Sequence, residues 1–398
     1  MISIKNRHFN VHRILLLAIG LWPCQRSRLV QFQMILCFGI LVSSIGFQLL
    51  TLITTEFTFD HVINAFSVGL VFTMYVIMYN AFWYNFTEIV ERPLEELQHI
   101  CNELKDKEEI VIMKKYGDNI KRFTFYALVL YICDLIILLP TISLSIMPNT
   151  FTVALHISES ELRHILYKYI PKYFVDRKNY LCVVLLYFDA IVCIGATTFL
   201  ATGLMLFAYL KHACGMLRIA SYRIKKAINI RNNICPKNEA IMYKGIIYAI
   251  HIHRTAIKFS TFLFSYLHLS HFFLIVVGVI CLSLNFYAIS KIVSHGDKVD
   301  KFLFHFIIVT VIFVYLFLAN YAGQELTDHN NDVFFTIYNV QWYGTPLRIQ
   351  RLILFLLQRG SKTMNLSLGG ISTLSLEFFA TLTKASISYF TVMYSAQQ

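Results

Sequence analysis

Charged residues are scarce in this chain. Only 15% of its 398 positions are Asp, Glu, Lys or Arg, whereas 57% are hydrophobic and the mean hydropathy is +0.59. A soluble domain carries about a quarter charged residues, so the composition excludes an ordinary soluble fold. The chain also has no repeat at a fixed period, no low-complexity tract and no glycine-rich phosphate loop, which removes solenoids, disordered linkers and P-loop nucleotide binding. Catalytic signatures are missing too. His251 and His253 are two apart and point to different sides of a helix. His268 and His271 are three apart and could share a metal, but no Cys or carboxylate stands at ligand spacing beside them. We expect no catalytic group, no metal and no cofactor, and read the chain as something other than an enzyme.

What remains is a series of long apolar runs. A hydrocarbon core of roughly 30 Å needs about 20 apolar residues in a helix. Seven runs meet that length: Leu29 to Ile53, Val62 to Phe82, Phe123 to Met147, Tyr180 to Leu210, Phe259 to Ile289, Phe302 to Ala322 and Ile371 to Tyr394. The fold expected is therefore an all-α membrane protein of seven transmembrane helices. The short polar intervals leave no room for a separate soluble domain.

The net charge of +12 would suit nucleic acid in a soluble chain, but in a membrane chain the placement of Lys and Arg sets the orientation. With the N-terminus in the cytoplasm, the inner segments carry 5, 7, 10 and 4 basic residues, 26 together, and the outer segments 8; Lys384 lies inside the last run. The expected orientation has the N-terminus cytoplasmic and the C-terminus extracellular, opposite to a G-protein-coupled receptor, and no nucleic-acid partner. The last two runs also lack the proline usual in such receptors. A transporter would show an internal repeat and broken helices, and neither is found, although Gly369-Gly370 breaks the chain before the last run.

None of the nine cysteines falls in a predicted outer loop, so a disulfide framework is not expected; Cys182 and Cys281, near outer ends of runs, are the two exceptions by position. Ile14 to Leu21 has the length of a signal-peptide core, but Trp22-Pro23 follows it instead of small residues, and we read it as an interfacial helix. The sequons at Asn85 and Asn365 fall on the inner side or at a boundary, where glycosylation is not expected. Between the second and third runs, Glu91 to Lys121 has apolar residues at spacings of three and four, the pattern of an amphipathic helix continuing the second span. A basic amphipathic segment from Ser221 to Arg231 precedes Asn232-Asn233 and Pro236, which interrupt it. It can face anionic lipid headgroups or a subunit contact.

Ionisable residues inside spans are costly, and there are four of them: Asp134, Asp189, Glu377 and Lys384. Asp134 and Asp189 lie among tyrosines, including Tyr131 and Tyr187, and can be either functional or simply paired within the bundle. Glu377 and Lys384, seven apart, fall on nearly one helix face at about 100° per residue.

The C-terminal third contains Gly323-Gln-Glu-Leu-Thr-Asp-His, Tyr338-Asn-Val-Gln-Trp-Tyr, Leu352 to Arg359, Leu374-Ser-Leu-Glu-Phe-Phe-Ala and Lys384-Ala-Ser-Ile-Ser-Tyr-Phe-Thr-Val. In order and spacing these resemble the signature of the insect odorant receptors. Upstream, His212-Ala-Cys-Gly-Met-Leu-Arg-Ile-Ala-Ser-Tyr-Arg-Ile and His253-Arg-Thr-Ala-Ile-Lys-Phe resemble the family in the style of its ant and wasp members. The resemblance covers the chain from about position 200 onward; the gustatory receptors, of like topology, fit its wording less well.

The resemblance implies an odorant-gated, non-selective cation channel in the plasma membrane of olfactory sensory neuron dendrites. Its tetramer would give the last helix of each subunit to a central pore, with the olfactory co-receptor supplying other subunits. It divides the chain into a cytoplasmic N-terminal segment (1–28), six helices holding an outer-half ligand pocket (29–322), a cytoplasmic anchor segment (323–368) and the pore helix with a short outer tail (369–398). Taking Val392 as the family's gate position, Ala396, Ser388, Ala385, Thr381 and Phe378 lie within about 40° of it at helical spacing. Apart from Phe378 the stripe is small and weakly polar, and it can line a pore that closes by dewetting or be a tight packing face. Ser395 and Ala396 depart from the co-receptor's own pattern near the outlet, which points to the tuning subunit. Glu377 and Lys384, on one flank about 60° and 80° from the Val392 axis, are expected at a subunit interface, since a lysine in the path would repel cations. The family's ligand site implies a pocket for a small volatile odorant in spans two, three, four and six. The candidates are Phe72, Tyr75, Tyr131, Leu138, Tyr187, Ile191, His305 and Phe306. Besides co-receptor and odorant, the partner expected is membrane lipid.

Overall fold

The computed structural model describes residues 9–22, 27–54, 59–144, 178–229, 236–295, 299–360, 367–368 and 372–396. Among these, nearly everything is helix. In chain order they are α1 (Asn10–Ala18), α2 (Arg28–Thr54), α3 (Phe59–Tyr84), α4 (Arg92–Glu103), α5 (Lys107–Leu144), α6 (Lys178–Asn229), α7 (Pro236–His295), α8 (Val299–Asn339), α9 (Leu347–Gly360) and α10 (Leu376–Ser395). A π-helical turn, Thr87–Glu91, joins α3 to α4, and a two-residue antiparallel pair, Ser367–Leu368 with Ser372–Thr373, precedes α10.

Five of these helices, α2, α3, α6, α7 and α8, are long and apolar enough to cross a membrane. The third apolar run of the sequence lies on α5 up to Leu144, its last residues being outside the described ones, and the seventh forms α10. The 52 residues of α6 span about 78 Å at 1.5 Å per residue, far more than a hydrocarbon core of about 30 Å. The helix therefore carries its apolar half and its basic half, Lys211 to Lys226, as one rod; α7 likewise joins a basic half, Lys244 to Lys258, to an apolar one, and α8 joins its apolar half to an acidic one, Glu325 to Asp332. Pro236 opens α7, as its fixed φ and missing N–H favour at a helix start.

The amphipathic stretch 91–121 does not simply continue the second span. Leu104 takes an extended conformation (φ −70°, ψ 112°) and ends α4, and the Asp106 carboxylate accepts from the Glu108 N–H at 3.2 Å at the start of α5. The second half of the stretch is thus one helix with the third apolar run. The periodicity of three and four survives such a break, because both halves bury an apolar stripe.

The core gathers around α6. Ala213, Met216, Leu217, Ala220 and Ile224 are all buried where α5, α7 and α8 meet it. Polar side chains within the apolar helices bond back to their own backbone: Thr198 Oγ1 to the Ile194 carbonyl at 2.7 Å, Thr202 Oγ1 to that of Thr198 at 2.7 Å and Ser260 Oγ to that of Ala256 at 2.9 Å. This satisfies hydroxyls where no water can. In the polar half of α6 the Arg223 guanidinium grips the Glu109 carboxylate with two bonds, 2.6 and 2.8 Å, tying α6 to α5. Next to it the Lys226 ammonium bonds Asp106 at 2.5 Å and holds that carboxyl below its ordinary range.

Candidate ligand-binding cavity

Where α5, α6, α7 and α8 splay apart they leave a cavity of about 260 Å³, with Tyr75 of α3 on its wall. Its lining is overwhelmingly apolar, from Phe123 and Leu130 on α5, Phe199 and Phe207 on α6, Leu263 and Leu267 on α7, and Val311 and Leu318 on α8. Drug-sized sites run roughly 300–1,000 Å³, so this space suits a small molecule. Polar groups on the wall are few: Tyr75, Tyr131, Asp134, His271, Thr310 and Tyr315.

Three of these six polar groups have hydrogen-bond partners within the bundle. Tyr131 Oη shares a hydrogen bond with Thr197 Oγ1 at 2.7 Å, Thr310 bonds the Phe306 carbonyl at 2.8 Å and His271 Nδ1 bonds the Leu267 carbonyl at 3.2 Å. Tyr315 differs. Its ring packs on Phe199, centroids 4.3 Å apart, and its buried hydroxyl has no hydrogen-bond partner among the described residues. An unmet buried donor costs about 1–3 kcal/mol, which a bound acceptor would relieve. Tyr75 owes its position to Gly195: a Cβ there would stand 2.0 Å from the tyrosine ring, so only glycine lets the ring lie against α6.

The cavity reaches the start of α10. Leu374 is one of its lining residues, and the next residue, Ser375, caps α10 by accepting from the Phe378 N–H at 3.1 Å. The backbone N–H of Ser375 in turn donates to Asn320 Oδ1 on α8 at 3.2 Å.

The eight pocket candidates divide by place. Tyr75 and Tyr131 line the cavity. Phe72, Tyr187 and Ile191 lie in a neighbouring aromatic cluster between α2, α3 and α6, where Phe188 packs on Phe72 at 6.3 Å and on Tyr187 at 6.2 Å, and Tyr187 Oη bonds Ser43 at 2.6 Å. His305 is buried and its Nδ1 pairs with Asn285 Oδ1 at 2.8 Å, linking α8 to α7. Phe306 is 50% exposed and stacks on Phe302. Leu138 is on α5, but its side chain lies outside the described residues. The hydroxyls of Tyr131 and Tyr187 go to Thr197 and Ser43 rather than to Asp134 and Asp189. Spacing gave no signal for the α7 wall, for Phe199 or for Tyr315, because a wall residue and a packing residue look alike in an apolar helix.

On α10, Leu382 and Ser386 are buried, and Ser283 Oγ of α7 bonds the Ser386 carbonyl at 3.0 Å. Val392 is 62% exposed, and Thr381, Ser388, Ser395 and Ala396 are exposed with it, whereas Ala385 is half-buried. Glu377 and Lys384 are both exposed.

A bundle of membrane-length helices with an apolar cavity among them has the build of a membrane receptor for a small apolar ligand. The family model "7tm Odorant receptor" matches residues 53–387, and the chain belongs to that family. It is 29% identical over 119 residues to Odorant receptor 46a, isoform B, of Drosophila melanogaster, covering 29% of this chain and 30% of that one. To Odorant receptor 10 of Aedes albopictus it is 24% identical over 107 residues, covering 27% and 28%. These matches thus span less than a third of either relative. The fold is similar to that of the insect olfactory receptor OR5 from Machilis hrabei, with TM-score 0.75 at 12% identity over 97% of both chains. The structure of OR5 in complex with eugenol gives the same score and identity over 99% of this chain and 100% of that one.

Proposed function

We propose that the chain is the tuning subunit of an odorant-gated, non-selective cation channel, working in the plasma membrane of olfactory sensory neuron dendrites beside the olfactory co-receptor in a tetramer. The chain crosses the membrane seven times with its N-terminus inside, and α10 lines the pore with Val392 at the gate. The ligand is a small, mostly apolar volatile with one hydrogen-bond acceptor. It sits against Tyr75, Tyr131, Phe199 and Tyr315, and the acceptor meets the Tyr315 hydroxyl.

The observation that carries the reading is the continuity of the cavity with the cap of α10. A ligand that presses on Leu374 acts on the residue next to Ser375, whose two hydrogen bonds, to Phe378 and to Asn320, hold the start of α10. Filling the cavity can then bias α10 between two positions, as gating needs. Glu377 and Lys384, exposed on one flank, are assigned to the contact between subunits.

Expression with and without the co-receptor, with currents measured across a panel of volatiles, tests the proposal. Odorant-evoked cation current that needs both chains supports it; current unaffected by omitting this chain contradicts it. Epitope tags test the orientation. A C-terminal tag should bind antibody on intact cells and an N-terminal tag only after permeabilisation, and the reverse pattern would restore the G-protein-coupled arrangement.

A further inference from the structure

A second cluster lies beyond the cavity wall, about one helical turn from Leu210 and Ala322, in the polar parts of α5, α6 and α8. Cys214 on α6 and Glu325 and His329 on α8 place a thiol sulfur, a carboxylate oxygen and an imidazole nitrogen within 4.8 Å of one another. His329 Nδ1 is 2.8 Å from the Glu325 backbone carbonyl, which can only accept, so Nδ1 carries the ring proton. In the neutral imidazole this leaves the lone pair on Nε2, which stands 2.6 Å from the Tyr116 hydroxyl of α5 and can accept from it. A metal-binding imidazole is commonly held in this way, its second N–H fixed by a backbone carbonyl.

A cation would compete with partners already in place. Lys211 bonds both Glu325 oxygens, at 2.7 and 2.5 Å, and its ammonium also stands over the rings of Phe207 and Tyr321 at 5.3 and 5.6 Å. It can keep one oxygen and the rings while the other oxygen turns to a metal. A Cβ at Gly215 would come within 3.2 Å of Met113 Sδ and 3.4 Å of the Tyr116 ring, so the glycine seats Tyr116 beside Cys214. Cys214 is buried, while Glu325 and His329 are half-buried, which leaves an approach from one side.

We propose that Cys214, Glu325 and His329 bind a zinc-class divalent cation, with the Tyr116 oxygen or a water in the fourth position. One thiol, one imidazole and one carboxylate suit zinc, whereas calcium and magnesium select all-oxygen sets. With bonds of about 2.0–2.3 Å, tetrahedral donors stand about 3.3–3.8 Å apart, so side-chain movements of about 1 Å close the site. On binding, the Cys214 thiol releases its proton to solvent as the metal–sulfur bond forms, and the hydrogen bond from Tyr116 to Nε2 is exchanged for a metal–nitrogen bond. The cation then cross-links α6 and α8. This inference does not depend on how the channel is gated.

Cobalt titration of the purified full-length receptor in detergent tests it, with zinc as the competitor. Wild-type protein should show the near-ultraviolet absorption of a thiolate bound to cobalt, saturating at one equivalent per chain and bleached by zinc. Cys214→Ser should abolish that band, His329→Gln should weaken cobalt binding at least about tenfold, and Cys101→Ser should change nothing. Absence of the band in wild-type protein overturns the proposal whether or not the variants fold, and so does a band that survives in Cys214→Ser.

Discussion

The polar parts of α5, α6 and α8 and the helix α10 are built on opposite terms. The first are joined by the two-bond Arg223–Glu109 pair and the Lys211–Glu325 pair, each between residues more than a hundred positions apart, over a nearly continuous buried surface of α6. Helix α10 is attached along one edge, through Leu382, Ser386 and the Phe379 ring against Phe313 and Phe317, while Thr381, Ser388 and Val392 are open. A fixed scaffold thus carries an element that is lightly held and has a free face. That division suits a part that must move and meet copies of itself, with the cavity lying between the two.

The largest effect expected from breaking this contrast is on the scaffold side. Glu109 has only 7% of its side chain exposed, so Arg223→Ala strands a carboxylate away from water and should cost about 3–5 kcal/mol. Thermal unfolding of the detergent-solubilised receptor reads this, and the double variant with Glu109→Ala should recover part of the loss. If Arg223→Ala melts no lower than wild type, the polar parts of these helices are not the rigid half.

A smaller effect is expected at the cavity. Gly203 lines it, and a Cβ there meets nothing within 4 Å. Gly203→Ala should therefore not lower the melting temperature, whereas Gly203→Ile, which projects further, should raise the half-maximal odorant concentration by about tenfold or more, equal to about 1.4 kcal/mol of lost binding. An unmoved dose–response curve would place the ligand elsewhere, with the aromatic cluster of Phe72, Tyr187 and Ile191 the next site to test.

The smallest effect is the loss of one hydroxyl. Tyr315→Phe should reduce sensitivity to an odorant bearing a carbonyl or ether oxygen by roughly 2- to 13-fold, the equivalent of about 0.5–1.5 kcal/mol. Responses to a hydrocarbon of the same shape should be unchanged. Equal losses for both ligands would mean that the ring, and not its hydroxyl, is what matters.

The two halves were not equally legible in the sequence. Helix positions could be read because a membrane-length run needs about 20 apolar residues, and that constraint is local. The interruption ahead of Pro236 and the segmental bias of Lys and Arg were visible for the same reason. The division of residues 91–121 at Leu104 was not, since both pieces keep one amphipathic period. The cavity wall was largely hidden: Tyr75 and Tyr131 were named from the family's pattern, but Tyr315, Phe199 and the α7 residues owe their place to how the helices splay. In the cluster of Cys214, Glu325 and His329, only the i, i+4 pair on α8 was open to a search by spacing; Cys214, more than a hundred residues away on α6, was not.

The central claim is that the open stripe of α10 faces a pore that wets when odorant binds. Cysteines at Ser388 and Val392, in receptors expressed with the co-receptor, can be exposed to a charged thiol reagent at rest and under odorant, with Phe379→Cys as the control because that side chain packs against α8. A dry apolar constriction excludes a charged reagent until it widens. The account predicts that labelling at Ser388→Cys and Val392→Cys accelerates when odorant is applied while Phe379→Cys stays slow in both states; equal labelling of all three positions, with and without odorant, would contradict it.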